Sequence, residues 1–196
     1  RKTSPPRILR IITRLNIGGP ATHVSLLSAR LDPSRFETLL VAGREGIDEG
    51  SMVELGRIDD RLRLARVADL GRAISPLTDL RATVAVARIA RAFRPHVVHT
   101  HLAKAGFVGR IAGRLAGARV VLHTYHGTVF EGYFGKRERA LYLAIERGLA
   151  RITTRIIAIT SRQRDDLIAL RIAPPEKVVI VPLGLDLEPF LRLPDK

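Results

Sequence analysis

The chain has no cysteine. That excludes a disulfide framework and any thiolate metal site, and it fits a reducing compartment. Aromatic residues make up only 5%, and no RNP-like aromatic run, zinc-finger spacing or lysine-rich tail occurs. Nucleic acid is therefore not the expected partner, in spite of the charge described below. No apolar stretch reaches the roughly 18 to 20 residues of a membrane-spanning helix, because arginine interrupts every one. A soluble or peripheral chain is expected. A signal-peptide pattern is also missing. The start at Arg1 and the linker-like ending Pro194-Asp195-Lys196 lead us to expect a piece of a longer protein.

What is present is a chain of 196 residues, 46% of them hydrophobic, enough to bury one core or a small pair of cores. Lys and Arg total 33 against 19 Asp and Glu, a formal charge of +14. An anionic partner is expected, either a phosphate compound or an anionic bilayer. The basic residues are spread along the chain, and only Lys2, Lys104, Lys136, Lys177 and Lys196 are lysines.

Ile8 to Ile12 reads as a buried strand, followed by Gly18-Gly19-Pro20 and a helix that carries Val24, Leu27 and Leu31 and closes at Asp32-Pro33. Phe36 to Val41 reads as a second strand and Arg61 to Val67 as a third. From Thr78 to Arg94, Ala82, Val86, Ile89, Ala90 and Phe93 form one apolar stripe of an amphipathic helix. His96 to His101 is then a strand, Gly106 to Leu115 a small-residue helix and Val120 to Thr124 a strand. A helix through Leu141 to Ile152, a strand at Arg155 to Ile159, a helix at Ser161 to Leu170 and a strand at Val178 to Val181 complete the pattern. Alternating strands and helices predict an α/β fold, a doubly wound parallel sheet of Rossmann-like type with helices on both faces. Ligands of such sheets sit at the carboxyl ends of the strands.

The unusual residues gather at those ends. Gly18 and Gly19 lie between the first strand and the first helix, where bare backbone amides and a helix N-terminus suit a phosphate group. The loop is neither G-x-G-x-x-G nor a Walker loop, and a tight turn needing positive φ is the alternative. His99, His101, His123 and His126 fall near the ends of two neighbouring strands. No Asp or Glu lies within those strands, so a metal site is not expected. His126, in Tyr125-His126-Gly127-Thr128, is placed to face a cleft and to donate a hydrogen bond or stabilise charge.

Taken together, RLNIGGPATHV, HVVHTHLAKAGFVGRIAGRLAG, HTYHGTVFEGYF, ERGLARITTRIIAITSRQRDDL and KVVIVPLGLDLEPF resemble the amino-terminal half of family 4 (group 1) glycosyltransferases, from Ile8 to Phe190. The resemblance implies one half of a GT-B fold, a Rossmann-like domain over residues 7–190 that shapes the acceptor side. A second domain, which binds the nucleotide sugar, is expected in cis beyond this sequence. It implies a retaining enzyme without metal or other cofactor, whose partners are a nucleotide-diphosphate sugar and a polysaccharide or lipid-linked acceptor of the cell surface. Gly18 and Gly19 match the loop at the donor phosphates, and His126 matches the catalytic histidine at the donor sugar. Asn16, Thr22, His101 and Thr128 match acceptor-side positions, with Arg72 a candidate for an anionic acceptor group. Gly184-Leu185-Asp186 matches the turn into the second domain, with Leu183 where asparagine is common.

The paired glutamates and the Arg and Lys that neutralise the leaving diphosphate in this family have no counterpart here. The chain alone is therefore expected to be inactive. The Arg-rich helices and the loop Val129 to Lys136 suit the cytoplasmic, inner face of a membrane. Two other readings stay open: half of an NADP-binding oxidoreductase, with Arg44 at the 2′-phosphate, and a non-catalytic interaction domain.

Overall fold

The computed structural model of the chain describes residues 4–46, 49–127, 135–184, 186–187 and 191. Its strands are β1 (Arg7–Ile12), β2 (Glu37–Ala42), β3 (Leu64–Arg66), β4 (Val97–His101), β5 (Val120–Thr124), β6 (Arg155–Ala158) and β7 (Val178–Ile180). The helices are α1 (Gly19–Ala29), α2 (Pro76–Phe93), α3 (Ala103–Leu115), α4 (Lys136–Ile152) and α5 (Ser161–Ala169). All seven strands are parallel, in the order β3-β2-β1-β4-β5-β6-β7. The expected doubly wound α/β sheet is therefore present, with ends shifted by a few residues. β3 is shorter than the expected stretch, because Arg61 N donates to the Asp59 carboxylate and Leu62 N to the Asp59 carbonyl in a turn that precedes pairing with β2 at Leu64.

Alternation along the strands sorts the core. Leu9, Ile11, Val41, Val98 and Val121 point to one face and pack with Ala82, Val86 and Ala90 of α2 and with Ala105, Val108 and Ala112 of α3. Ile12, Leu40 and Ala42 point to the other face and pack with Ala21 and Val24 of α1. Farther along, Ile156, Ala158 and Val178 pack with Leu143 and Ala150 of α4 and Leu167 of α5. Each fully buried aliphatic side chain contributes about 1.5 to 3 kcal/mol. Among the described residues α1 is the sole α-helix on its face, since β1-to-β2 and β2-to-β3 are the connections that run that way and the second, which packs Met52, Ile58 and Leu62 there, carries no α-helix.

α3 lies unusually close to the sheet, and its glycines are the reason. A Cβ on Gly109 would fall 2.6 Å from Thr100 Cγ2 and 2.8 Å from Ile11 Cδ1, and one on Gly106 would fall 2.6 Å from His123 Cε1. α5 begins at Thr160, whose Oγ1 accepts from Gln163 N at 3.1 Å while Gln163 Oε1 accepts from Ile159 N at 2.8 Å. α2 begins at Pro76, the first-turn position where a missing N–H costs nothing.

Between α3 and α4 sits a buried ion pair. Arg110 Nη2 donates to both carboxylate oxygens of Glu146, at 2.9 and 2.8 Å, and Arg110 Nε donates to Gly106 O at 2.8 Å. The Tyr125 hydroxyl also donates to Glu146, so one carboxylate ties α3, α4 and the end of β5 together. Breaking a buried pair from one side leaves the other charge uncompensated. Glu146→Ala is expected to lower unfolding stability by about 3 to 5 kcal/mol in urea titration; a loss below about 1 kcal/mol would contradict this anchoring. Gly109→Val is expected to cost about 1 to 3 kcal/mol by overpacking, and an unchanged urea midpoint would count against the close α3 approach.

Candidate functional site

In a doubly wound sheet the crevice opens where successive crossovers turn in opposite directions. Here that point lies between β1 and β4, whose Ile12 and His101 are register partners at the strand ends. α1 starts above β1, and β5 ends beside β4 at Thr124. The residues picked from the sequence converge on this point unequally.

Gly18 precedes α1 with φ 169°, an extended backbone open to any residue, so the positive-φ turn is not what these glycines serve. A Cβ on Gly19 would meet nothing within 4 Å, and one on Gly18 only Asn16 Nδ2 at 3.8 Å. No packing in the fold itself demands glycine there, whereas a ligand approaching the backbone would. No side chain caps α1 and no acidic residue occupies its first turn, which leaves the positive end of the helix facing the crevice. Thr22 hydroxyl donates to Gly18 O at 3.1 Å and so braces the loop from inside. Asn16 forms an isolated antiparallel bridge with Ser51.

The histidines divide between the two sheet faces. His99 and His101 point toward the α1 side, with ring centroids 4.1 Å apart, and His99 Nε2 lies 2.7 Å from Thr124 Oγ1. His123 points the other way, under α3, with Nδ1 2.8 Å from Thr100 Oγ1. It therefore leaves the group expected from sequence, because β5 alternation places it with Val121 rather than with Thr124. His101 Nδ1 lies 3.0 Å from His126 Nε2, and His23 of α1 approaches the His126 ring edge-on at 5.7 Å. His101 is fully buried. It was expected to line the acceptor side, but its central position in the sheet puts it behind His126, which is the half-exposed member facing the crevice.

Burial holds these rings neutral. His126 is pushed down to about 4 by desolvation and by neighbouring His23. His99 is pushed down to about 3, by desolvation first and then by the Arg10 cation, and His101 lies well below the ordinary imidazole value for the same chief reason. Arg10, buried in β1 on the α1 side, reaches Ser28 Oγ at 3.5 Å, and desolvation lowers its own value to about 10. Sequence inspection missed Arg10 and His23, because an arginine inside an apolar strand run and a histidine within a helix carry no motif.

Arg72 is exposed and lies 3.9 Å from Glu49, which is also paired with Arg14 at 2.6 Å. It lies beside the 49–52 segment. Thr128 and residues 129–134 of the loop Val129 to Lys136 lie outside the described residues. At the far end, Asp186 pairs with Arg30 of α1, and the Gly184 backbone is hydrogen-bonded to His23. Residues 181–184 and 186 are thereby held against α1, bounding an open-sided cavity of about 340 Å³ lined by His23, Leu26, Leu27, His99, Thr124 and Ile157 among others.

A histidine near 6.5 in the unfolded chain and near 3 to 4 in the fold makes stability depend on acid. Below pH 6.5 the unfolded chain takes up protons that the folded chain refuses, so stability is full above that value and declines as pH falls toward 4. The slope approaches about 1.4 kcal/mol per pH unit for each ring held neutral. A urea midpoint that stays flat between pH 7 and 5 would contradict the neutral cluster.

Residues 18–184 match the model of the glycosyl transferase 4-like domain family. Over 133 residues the chain is 35% identical to the UDP-Gal:alpha-D-GlcNAc-diphosphoundecaprenol alpha-1,3-galactosyltransferase of Escherichia coli, covering 68% of this chain and 34% of that protein. Among solved structures, sucrose-phosphate synthase from Thermosynechococcus elongatus superposes with TM-score 0.68 at 16% identity, covering 96% of this chain and 53% of that one. The UDP-N-acetylglucosamine 2-epimerase of Rickettsia bellii superposes with TM-score 0.64 at 14% identity, covering 91% and 45%. These likenesses show the fold, and the chain spans about a third to a half of the proteins it matches. With its glycine loop and histidine pair set at the switch point of such a sheet, the chain belongs to the glycosyl transferase 4-like domain family and forms one Rossmann-like half of a GT-B arrangement.

Proposed function

We propose that this chain is the acceptor-side domain of a retaining glycosyltransferase that moves a sugar from a nucleotide-diphosphate donor to a polysaccharide or lipid-linked acceptor. The observation that carries the reading is that the uncapped start of α1, with Gly18 and Gly19, lies at the same strand-end side of the sheet as His126, whose ring is 5.7 Å from His23 of α1. The E. coli relative's name, which specifies a UDP-sugar donor and a diphosphoundecaprenol acceptor, supports the same substrate classes for this chain. The family match favours this reading over an oxidoreductase half built on Arg44.

The chemistry follows from charge. Transfer separates a diphosphate, which gains negative charge, from an anomeric carbon, which gains positive charge. Backbone amides at Gly18 and Gly19 and the α1 dipole favour the former. His126, neutral through burial, hydrogen-bonds a sugar hydroxyl without placing a second cation beside the carbon. Its Nε2 is engaged with His101, and its Nδ1 is buried without a hydrogen-bond partner among the described residues, so a sugar hydroxyl that reached Nδ1 would satisfy it. The cations that complete diphosphate neutralisation come from a second domain in cis, and without it the chain is inactive.

Among the described residues no helix is long and apolar enough to cross a membrane. A lipid-linked acceptor places the enzyme at the cytoplasmic, inner face of the membrane as a peripheral protein.

In the full-length enzyme, Gly19→Ala is expected to weaken nucleotide-sugar binding at least tenfold in calorimetry while leaving the thermal midpoint unchanged, because the added Cβ meets no protein atom within 4 Å. Unaltered donor affinity would sink the phosphate role of this loop. His126→Ala is expected to lower kcat by about 10² to 10³, the loss typical of one transition-state hydrogen bond, with a wild-type rate as the contrary result.

A further inference from the structure

We propose that Tyr125 is the positioning residue that sets the ring of His126, and that the buried Arg110–Glu146 pair serves the candidate site by holding the Tyr125 hydroxyl. The inference rests on the role proposed for His126 and adds what fixes that ring from outside the site. Arg110, His123, Tyr125 and Glu146 are all buried, on the sheet face opposite His99 and His101. Helix packing alone does not account for two charges there, since apolar side chains of similar volume hold such a contact as well or better.

What the charges provide is a fixed acceptor. Arg110 Nε is anchored to Gly106 O on its own helix at 2.8 Å, and Nη2 then meets both oxygens of Glu146, so the carboxylate is held in one orientation. Tyr125 donates its hydroxyl proton to Oε2 of that carboxylate. Burial first, and the Glu146 charge second, push the phenol well above its ordinary value, so it keeps that proton. His123 meets the Tyr125 ring edge-on at 4.5 Å and is itself tied to Thr100 Oγ1 at 2.8 Å. Phe at position 125 would fill the same space in the cluster with Leu143 and Ile156; what Tyr adds is the bond to Glu146.

The hold reaches His126 through one peptide unit. β5 ends at Thr124, and Tyr125 N still donates to Ile157 O at 3.0 Å. His126 is the next residue, with its side chain on the other face as alternation requires, and its Nε2 lies 3.0 Å from His101 Nδ1. With the Tyr125 ring and backbone N–H both fastened, the peptide plane that leads to His126 has little freedom to turn. Releasing the hydroxyl lets that plane swing, and the imidazole leaves the geometry in which Nδ1 meets a sugar hydroxyl. A displacement of about 1 Å in such a group costs on the order of 10²-fold in rate.

The test uses the full-length enzyme. Tyr125→Phe is expected to lower kcat about tenfold with the nucleotide-sugar KM within about twofold, and to lower it no further in a His126→Ala background. Tyr142→Phe, which deletes a hydroxyl one turn before Glu146 on α4 and not on the chain segment that carries His126, is expected to keep the wild-type rate. Nitrogen-15 spectra of Tyr125→Phe are expected to show shifted His126 imidazole resonances and unchanged ones for His96, just before β4. Glu146→Asp, which draws the carboxylate back by one methylene while leaving its charge for Arg110, is expected to move the same His126 resonances. Unmoved His126 resonances in both variants overturn the proposal. So does a Tyr125→Phe loss that is matched by Tyr142→Phe or that is as large in the His126→Ala background, and so does a wild-type kcat for Tyr125→Phe where His126→Ala is slow. A His126→Ala enzyme with the wild-type rate would remove the transferase role of His126, and the spectra would still decide whether Tyr125 sets its ring.

Discussion

A parallel strand can be reached from its neighbour only by a crossover, and that crossover is right-handed in nearly all proteins. This chain makes the first such connection toward β2 and, after β3, turns back past β1 to lay down β4 and the strands beyond it. The reversal puts α1 on one face and α2 to α5 on the other, and it leaves the ends of β1 and β4 without a connection passing over them. The candidate site follows from that gap. The start of α1 looks into it, β4 delivers His101 to its floor, and the end of β5 delivers His126 to its wall.

The second organising fact is that the floor of the gap is basic in composition yet neutral in charge, save for Arg10. Desolvation and mutual repulsion deny protons to His99, His101 and His126, and no carboxylate contributes to their shifts. Positive charge near the crevice comes instead from the α1 terminus and Arg10, which are fixed by the fold and do not titrate in the physiological range. Such a site suits an anion and, in the transfer proposed above, would keep the ring nearest the reacting carbon uncharged. Consecutive residues hold that ring from two sides: Tyr125 is fastened to Glu146 beneath the sheet, and His126 leans on His101 above it.

Much of this was legible in the chain. β-branched runs bounded by Gly and Pro gave away β1, β2, β4 and β5, and the stripe from Ala82 to Phe93 gave away α2, because burial on one face leaves its period in the sequence. Gly18, Gly19 and His126 could be placed at strand ends before any coordinates. What could not be read was which side of the sheet a ring would choose when two neighbouring strands each carried histidines. His123 and His99 look alike in sequence, and only the register of β4 against β5 separates them. Arg10 and the Arg110–Glu146 pair were equally hidden, since a charge buried in a core is recognised by its partner and environment rather than by its spacing.

The site depends on His126 being a neutral ring held by His101 at the crevice wall. Nitrogen-15 imidazole spectra of the folded chain, recorded from pH 7.5 down to 5, test it most directly. A single neutral tautomer with unchanged shifts across that range, altered at His126 by His101→Phe, is the expected result. A ring that titrates near 6.5 as a freely solvated imidazole would contradict the arrangement described for this site.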